Sequence, residues 1–203
     1  FLERFVLKLI DKYSIFNELE MDAINILFLE HGEELDLRTF GRTQSLAKVY
    51  RLVKSKDLIY ILNNKTIQTY FQPIVDIRKN EIFAYECLSR GIRQDGSLMG
   101  SSLIFKTATK NDLLFYLDRE AREAALKNAF TNKIKKKIFL NFVPSTIYKP
   151  EISLKDTMKW VEKFGHKPEN IVFEVIETEN IIDKRYLKKF LETYRDLGFQ
   201  IAL

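Results

Sequence analysis

The spacing of apolar residues changes character about a third of the way along the chain. In the first part, apolar positions recur at helical intervals, as at Val49 and Val53, which is typical of amphipathic helices. The glycine-bounded stretch 32–41 is the expected break between helices, and Asn63–Asn64 is the expected end of the last one. Residues 1–57 are therefore predicted to form an all-helical segment.

The next part of the chain has the pattern of a β-hairpin. Residues 70–77 are mostly apolar and include Pro73, which places this strand at a sheet edge or an irregularity because proline donates no ladder hydrogen bond. A polar turn at 78–80 leads into a second strand over 81–88. The two strands are predicted to pair antiparallel.

Beyond Gly100 the pattern alternates between helices and strands. The sequence predicts helices over 112–129, 154–164 and 185–197, and strands over 138–143 and 171–176, with another beginning at Phe199. The strands are apolar on both faces, as parallel strands covered by helices should be. The alternation therefore predicts an α/β domain with crossover helices.

Composition narrows the class of protein. The 203 residues, 46% hydrophobic and 30% charged, suffice for one domain and an accessory segment, and the net charge is +5. No apolar stretch approaches the roughly 20 residues that span a bilayer, and no signal peptide opens the chain, so we expect a cytoplasmic protein without a membrane segment.

The basic run 133–137 is interpreted as a solvated loop, and no nucleic-acid polymer is expected as a partner. The one cysteine, Cys87, is expected to pack as a small hydrophobic residue.

Three polar side chains interrupt the predicted strands. Asn141 and Glu174 each lie three residues after the start of a strand, so equal offsets on neighbouring parallel strands would bring them side by side. Glu86 interrupts the second hairpin strand. Each glutamate by itself could face solvent or pair with a nearby Lys or Arg. Together, two carboxylates and an amide form an oxygen donor set that suits a divalent cation such as Mg²⁺ or Mn²⁺.

Five segments in order resemble the successive motifs of EAL domains, over about residues 58–203. The segments are YFQPIV at 70–75, YECLSRG at 85–91, FLNFVP at 139–144, FEVIETE at 173–179 and GFQIAL at 198–203. Cys87 stands where the family's name motif has alanine. A lone Glu-x-Leu would be unspecific, whereas five motifs in order at family-like spacing make a specific match.

The resemblance implies a (β/α)₈ TIM-type barrel with an antiparallel first strand, about half of which is present here. It also implies hydrolysis of cyclic-di-GMP, a bacterial second messenger, by water activated at a two-metal site of Mg²⁺ or Mn²⁺. By the same resemblance, Glu86, Asn141 and Glu174 are metal ligands, and the two glutamates are also catalytic residues. Gln72 and Arg90 would contact the substrate.

The resemblance also defines the expected division of the chain. Residues 1–57 would be a regulatory or dimerisation segment, and residues 58–203 an EAL domain that stops before the two aspartates that follow Ile-Ala-Leu in the family. Three explanations stay open: part of a longer protein, a natural truncation with a binding role, or a disordered second half. The first is favoured because half a barrel leaves sheet edges and apolar surface uncovered.

The functional prediction is a cyclic-di-GMP-specific phosphodiesterase that produces linear pGpG and forms a homodimer. One alternative is a degenerate EAL module that binds cyclic-di-GMP or a protein partner without catalysis, and another is an interaction domain driven by residues 1–66. Asp118 is interpreted as a helix-surface or packing residue rather than a ligand contact. Glu177 and Glu179 are expected to organise the loop after Glu174.

Overall fold

A computed structural model describes residues 16–144, 150–175 and 184–202. The chain divides into two compact units, residues 1–59 and 60–203. The elements of the first unit are α1 (Glu18–Ala23), β1 (Asn25–Ile26), α2 (Leu37–Phe40), β2 (Gln44–Ser45) and α3 (Leu46–Lys54), and α4 (Lys56–Asn64) contains the boundary. The elements of the second unit are β3 (Ile67–Asp76), β4 (Glu81–Ile92), β5 (Leu98–Met99), α5 (Ser101–Lys110), α6 (Leu114–Thr131), β6 (Lys137–Phe142), α7 (Pro150–Lys163), a 3₁₀ turn (Pro168–Asn170), β7 (Ile171–Val175), α8 (Lys184–Asp196) and β8 (Gln200–Ala202).

The first unit departs from the all-helical prediction. Its helices are joined by a short antiparallel ladder in which β1 pairs with β2, and the chain is extended at Ile24, where the sequence predicted a helix. Leu46 and Val49 of α3 form the buried centre, against which Met21 packs. The prediction was wrong at the ladder because two-residue strands contain too few positions to show a period. The regulatory or dimerisation role of residues 1–57 stays a prediction.

The second unit is built on one sheet with the strand order β3-β4-β6-β7-β8, and β5 pairs with β4. β3 and β4 are antiparallel, whereas β4–β6, β6–β7 and β7–β8 are parallel. The predicted hairpin and the predicted parallel strands are both confirmed, and the strand with Pro73 lies at an edge of the described sheet. This architecture matches part of a (β/α)₈ barrel, and the described strands do not close into a full one.

One face of this sheet is covered by helices. Side chains that alternate along the strands, such as Leu140, Phe142 and Phe173, are at most 1% exposed. Phe142 stacks on Phe190 of α8 with ring centroids 5.0 Å apart, and Phe173 meets Tyr194 of the same helix edge-to-face at 4.8 Å. Aromatic packing of this kind stabilises the core beyond the area that it buries. The opposite face carries the polar residues identified from the sequence.

A buried ion pair lies within α6, and its arginine links this helix to α7. Arg122 of α6 lies 3.0 Å from Asp118 Oδ2 one turn earlier, and the two side chains are 3% and 2% exposed. Arg122 also donates a hydrogen bond of 2.7 Å to Thr157 Oγ1 of α7. Asp118 is therefore a packing residue, in agreement with its interpretation from the sequence.

Within the three described ranges, no helix combines the length and the apolar character needed to cross a bilayer.

Candidate active site

The sheet register places the predicted ligand residues on the face that the helices leave open. Asn141 of β6 pairs directly with Glu174 of β7, as their equal offsets predicted. Glu86 of β4 pairs with Phe139, two residues before Asn141, and so lies on the same face because side chains alternate along a strand. Gln72 of β3 is directly opposite Glu86. Four residues from four neighbouring strands thus lie together.

The side chains of Glu86 and Asn141 are in contact. Asn141 Nδ2 donates a hydrogen bond of 3.3 Å to Glu86 Oε1. Glu86, Asn141 and Glu174 are all partly buried, whereas Gln72 is exposed. The structure therefore brings the two carboxylates and the amide to one face of the sheet, while their role as metal ligands stays a prediction.

The charge of Glu86 affects the carboxylate of Glu174. Burial raises the pKa of Glu174 above its ordinary value, and the nearby charge of Glu86 raises it further. Two half-buried carboxylates repel each other unless a proton or a cation compensates. The part of the chain that the structure describes contains no cluster of three or more His, Cys, Asp or Glu side chains suited to a metal ion. The donor set here is instead two carboxylates and one amide, all of which offer the oxygen atoms that Mg²⁺ or Mn²⁺ accepts.

Arg90 lies further along the same strand face. It follows Glu86 by four residues on β4, which corresponds to about 13 Å along the strand. Its Nη1 donates a hydrogen bond of 2.9 Å to the carbonyl oxygen of Ser89, and its guanidinium carbon lies 5.5 Å from the ring centroid of Tyr70. Glu86, Asn141 and Glu174 together are called the carboxylate cluster below. The structure therefore places Arg90 on the same face of the sheet as the carboxylate cluster rather than in contact with it.

The contact between Tyr70 and Arg90 was not predicted from the sequence. Tyr70 precedes Gln72 by two positions on β3, so both side chains lie on one face. That spacing was visible in the sequence, but the contact with Arg90 depends on the hairpin register. Glu177 and Glu179 lie outside the described residues, as do the last residues of the two C-terminal motifs.

A cavity of about 280 Å³ opens on the other face of the sheet. Its lining includes Cys87, Ser89 and Leu140, together with Arg122 of α6 and Asn141. Neither Glu86 nor Glu174 reaches it. The cavity thus belongs mainly to the layer between sheet and helices, and Asn141 borders both the cavity and the site.

Cys87 is expected to be unreactive in the folded protein. Its side chain is 5% exposed, and burial, with a smaller contribution from the charge of Glu86, raises the pKa of the thiol to about 12. Because the thiolate is the reactive species, modification by a thiol reagent at pH 8 should be at least about a hundredfold slower than in urea. Stopped-flow measurements of 5,5′-dithiobis(2-nitrobenzoate) reaction would check this, and similar rates in both states would contradict it.

The model of the EAL domain family matches residues 55–203. A curated protein of Escherichia coli strain K12, described as probable cyclic di-GMP phosphodiesterase PdeG, is 26% identical over 146 residues, which are 70% of this chain and 29% of that protein.

Two solved structures extend the comparison. A standalone EAL protein from Vibrio cholerae O395, in its c-di-GMP-bound form, is 32% identical with a TM-score of 0.57, covering 67% of this chain and 55% of that one. BlrP1 of Klebsiella pneumoniae, in complex with manganese and cyclic di-GMP, is 23% identical with a TM-score of 0.57, covering 68% of this chain and 34% of that one. The second likeness concerns the fold alone. The chain thus spans under a third of the curated relative and about half of the Vibrio protein.

Proposed function

The chain belongs to the EAL domain family, and we propose that the protein is a cyclic-di-GMP-specific phosphodiesterase that hydrolyses the cyclic dinucleotide to linear pGpG. The description of the Escherichia coli relative supports this activity. The ligand bound by the Vibrio protein supports the substrate. Membership in the family supports the barrel fold, and the positions of the side chains described above support metal-dependent hydrolysis.

One observation carries the proposal: Glu86, Asn141 and Glu174 converge on the open face of the sheet. Burial and the neighbouring charge of Glu86 both disfavour the ionised form of Glu174. The raised pKa of Glu174 reflects both effects. A catalytic site that binds a cation would explain why two carboxylates lie close together here, whereas a purely structural role would favour a pair of apolar side chains.

The three side chains fit a divalent cation. Each supplies an oxygen atom from a different strand, and the strands are held in register by the parallel ladder. Glu86, Asn141 and Glu174 would therefore hold Mg²⁺ or Mn²⁺, the carboxylates by charge and the amide by its carbonyl oxygen. A cation bound there would supply an acidified water and would neutralise charge on the phosphodiester.

Gln72 and Arg90 would bind and orient the substrate. The exposed amide of Gln72 lies across the hairpin from Glu86, where it can donate a hydrogen bond to a ligand above the cluster. The guanidinium of Arg90 is a planar fork that matches two phosphate oxygens. A substrate held at both points would present its phosphodiester to the carboxylate cluster.

An assay of the intact protein tests this proposal. Incubation with cyclic-di-GMP and Mn²⁺ is expected to yield pGpG, resolved by reversed-phase chromatography, and excess chelator should stop the reaction because the carboxylates then lack their cation. Cyclic-di-AMP serves as the control for specificity and should not be cleaved. Binding of cyclic-di-GMP that survives chelation, with no linear product under any condition, would reject the enzyme in favour of a non-catalytic binding module.

A further inference from the structure

We propose that Tyr70 is a positioning residue for Arg90. The ring of Tyr70 holds the guanidinium of Arg90 over the face of the sheet on which Glu86 and Gln72 lie. The inference rests on the proposed function, because it names a residue that prepares the phosphate-binding side chain of that same site. It assigns Tyr70 no contact with the reacting atoms.

The hairpin register brings the two side chains together. Tyr70 pairs with Leu88, and Arg90 pairs with Gln68, so Tyr70 and Arg90 are diagonal neighbours across two antiparallel strands. Diagonal neighbours lie within reach of long and aromatic side chains. The separation of 5.5 Å between the guanidinium carbon and the ring centroid is within the range of a cation–π contact.

The remaining contacts of Arg90 leave its charge uncompensated. Besides the ring, Arg90 contacts a neutral carbonyl oxygen, that of Ser89 at 2.9 Å, and among residues 16–144, 150–175 and 184–202 no carboxylate pairs with it. Arg122 offers the contrast, since Asp118 compensates its charge at 3.0 Å. An arginine held by a ring and a carbonyl keeps its full positive charge for a phosphate. The ring thus orders the side chain without weakening its attraction for the ligand.

The tyrosine ring, rather than its hydroxyl group, makes this contact. Tyr70 is 43% exposed, and within the described residues its hydroxyl group has no hydrogen-bond partner. Phenylalanine should therefore replace tyrosine without loss, whereas leucine keeps an apolar side chain of similar reach but removes the π-system. Tyr70→Phe and Tyr70→Leu form a matched pair of variants.

Steady-state hydrolysis of cyclic-di-GMP by the intact protein tests the inference. Tyr70→Leu is expected to raise KM by about two- to fivefold, the effect of losing one partly exposed cation–π contact, with little change in kcat. Tyr70→Phe should match the unmodified protein. In an Arg90→Ala background, Tyr70→Leu should have no further effect, since the side chain that it positions is gone. A wild-type KM in Tyr70→Leu, a loss in Tyr70→Phe, or an undiminished effect in the Arg90→Ala background would each overturn the proposal.

A measurement without ligand separates this inference from the proposed function. The aromatic ring should shift the NMR resonances of the Arg90 side chain, assigned by comparison with Arg90→Ala. These resonances are expected to move in Tyr70→Leu and to stay in place in Tyr70→Phe. If the protein does not hydrolyse cyclic-di-GMP, the proposed function fails. The NMR comparison still shows whether the Tyr70 ring contacts Arg90. Arg90 resonances unchanged in Tyr70→Leu would overturn the positioning role whatever the activity.

Discussion

Replacement of Glu86 by glutamine is expected to reduce the hydrolysis of cyclic-di-GMP by about 10²–10³-fold in kcat, the loss that follows removal of one preorganised charge-stabilising group. The amide preserves the volume of the side chain, and its carbonyl oxygen can still accept the hydrogen bond from Asn141. What it removes is the negative charge that would hold a cation beside Glu174. The measurement is the initial rate of pGpG formation at saturating Mn²⁺, together with the thermal midpoint of unfolding.

The matched control is Glu81→Gln on the same strand. Glu81 is exposed and makes a surface ion pair of 3.6 Å with Lys136, which contributes at most about 1 kcal/mol to stability. Glu81→Gln should therefore leave the rate and the midpoint nearly unchanged. If Glu86→Gln were as active as Glu81→Gln, the carboxylate cluster would not be the catalytic site.

Replacement of Arg122 by leucine is expected to lower the free energy of unfolding by about 3–5 kcal/mol, because it removes a buried cation that compensates the carboxylate of Asp118. The hydrogen bond to Thr157 across the α6–α7 interface is lost at the same time. Urea denaturation followed by circular dichroism measures the effect as a shift of the midpoint at constant slope.

Two further variants identify the cause. Arg119→Leu, one turn earlier on α6, breaks a half-exposed ion pair of 2.8 Å with Asp156 and should cost only about 1 kcal/mol. The double variant Asp118→Leu with Arg122→Leu should be more stable than Arg122→Leu, since it removes the buried carboxylate together with the cation that compensated it. Equal losses of unfolding free energy for Arg119→Leu and Arg122→Leu would show that the buried ion pair contributes no more to stability than the exposed one.

The order of elements in the second unit follows closely from the sequence. The hairpin was predicted from its turn and from Pro73, and the parallel strands from apolar runs separated by helical patterns. The structure begins α6 at Leu114 rather than at 112, because Asp112 adopts a left-handed backbone with φ of 56° and turns the chain between two helices. The first of those helices, α5, was not predicted, and neither was β5, whose two residues are too few to show a period.

The candidate site was predicted in part. Asn141 and Glu174 could be paired from sequence because both lie at the same offset on successive parallel strands. Glu86 could not be placed in that way, since its strand is separated from β6 by two helices and a short strand, and its pairing with Phe139 is a property of the assembled sheet. The resemblance to a family, rather than the pattern of residues, joined Glu86 to the other two.

The sequence by itself determined most of the helices and strands of the second unit and which strands carry oxygen-bearing side chains, because periodicity and local turn chemistry act between residues close in the chain. Only the tertiary structure decided that Glu86 meets Asn141 and that Tyr70 meets Arg90. Both contacts depend on strand register, and the β3–β4 ladder shifts register between Ile74 and Val75. Because a slip of one residue would turn each side chain to the opposite face, the sheet as a whole, through the packing of its helix-covered side, fixes the face on which the site forms.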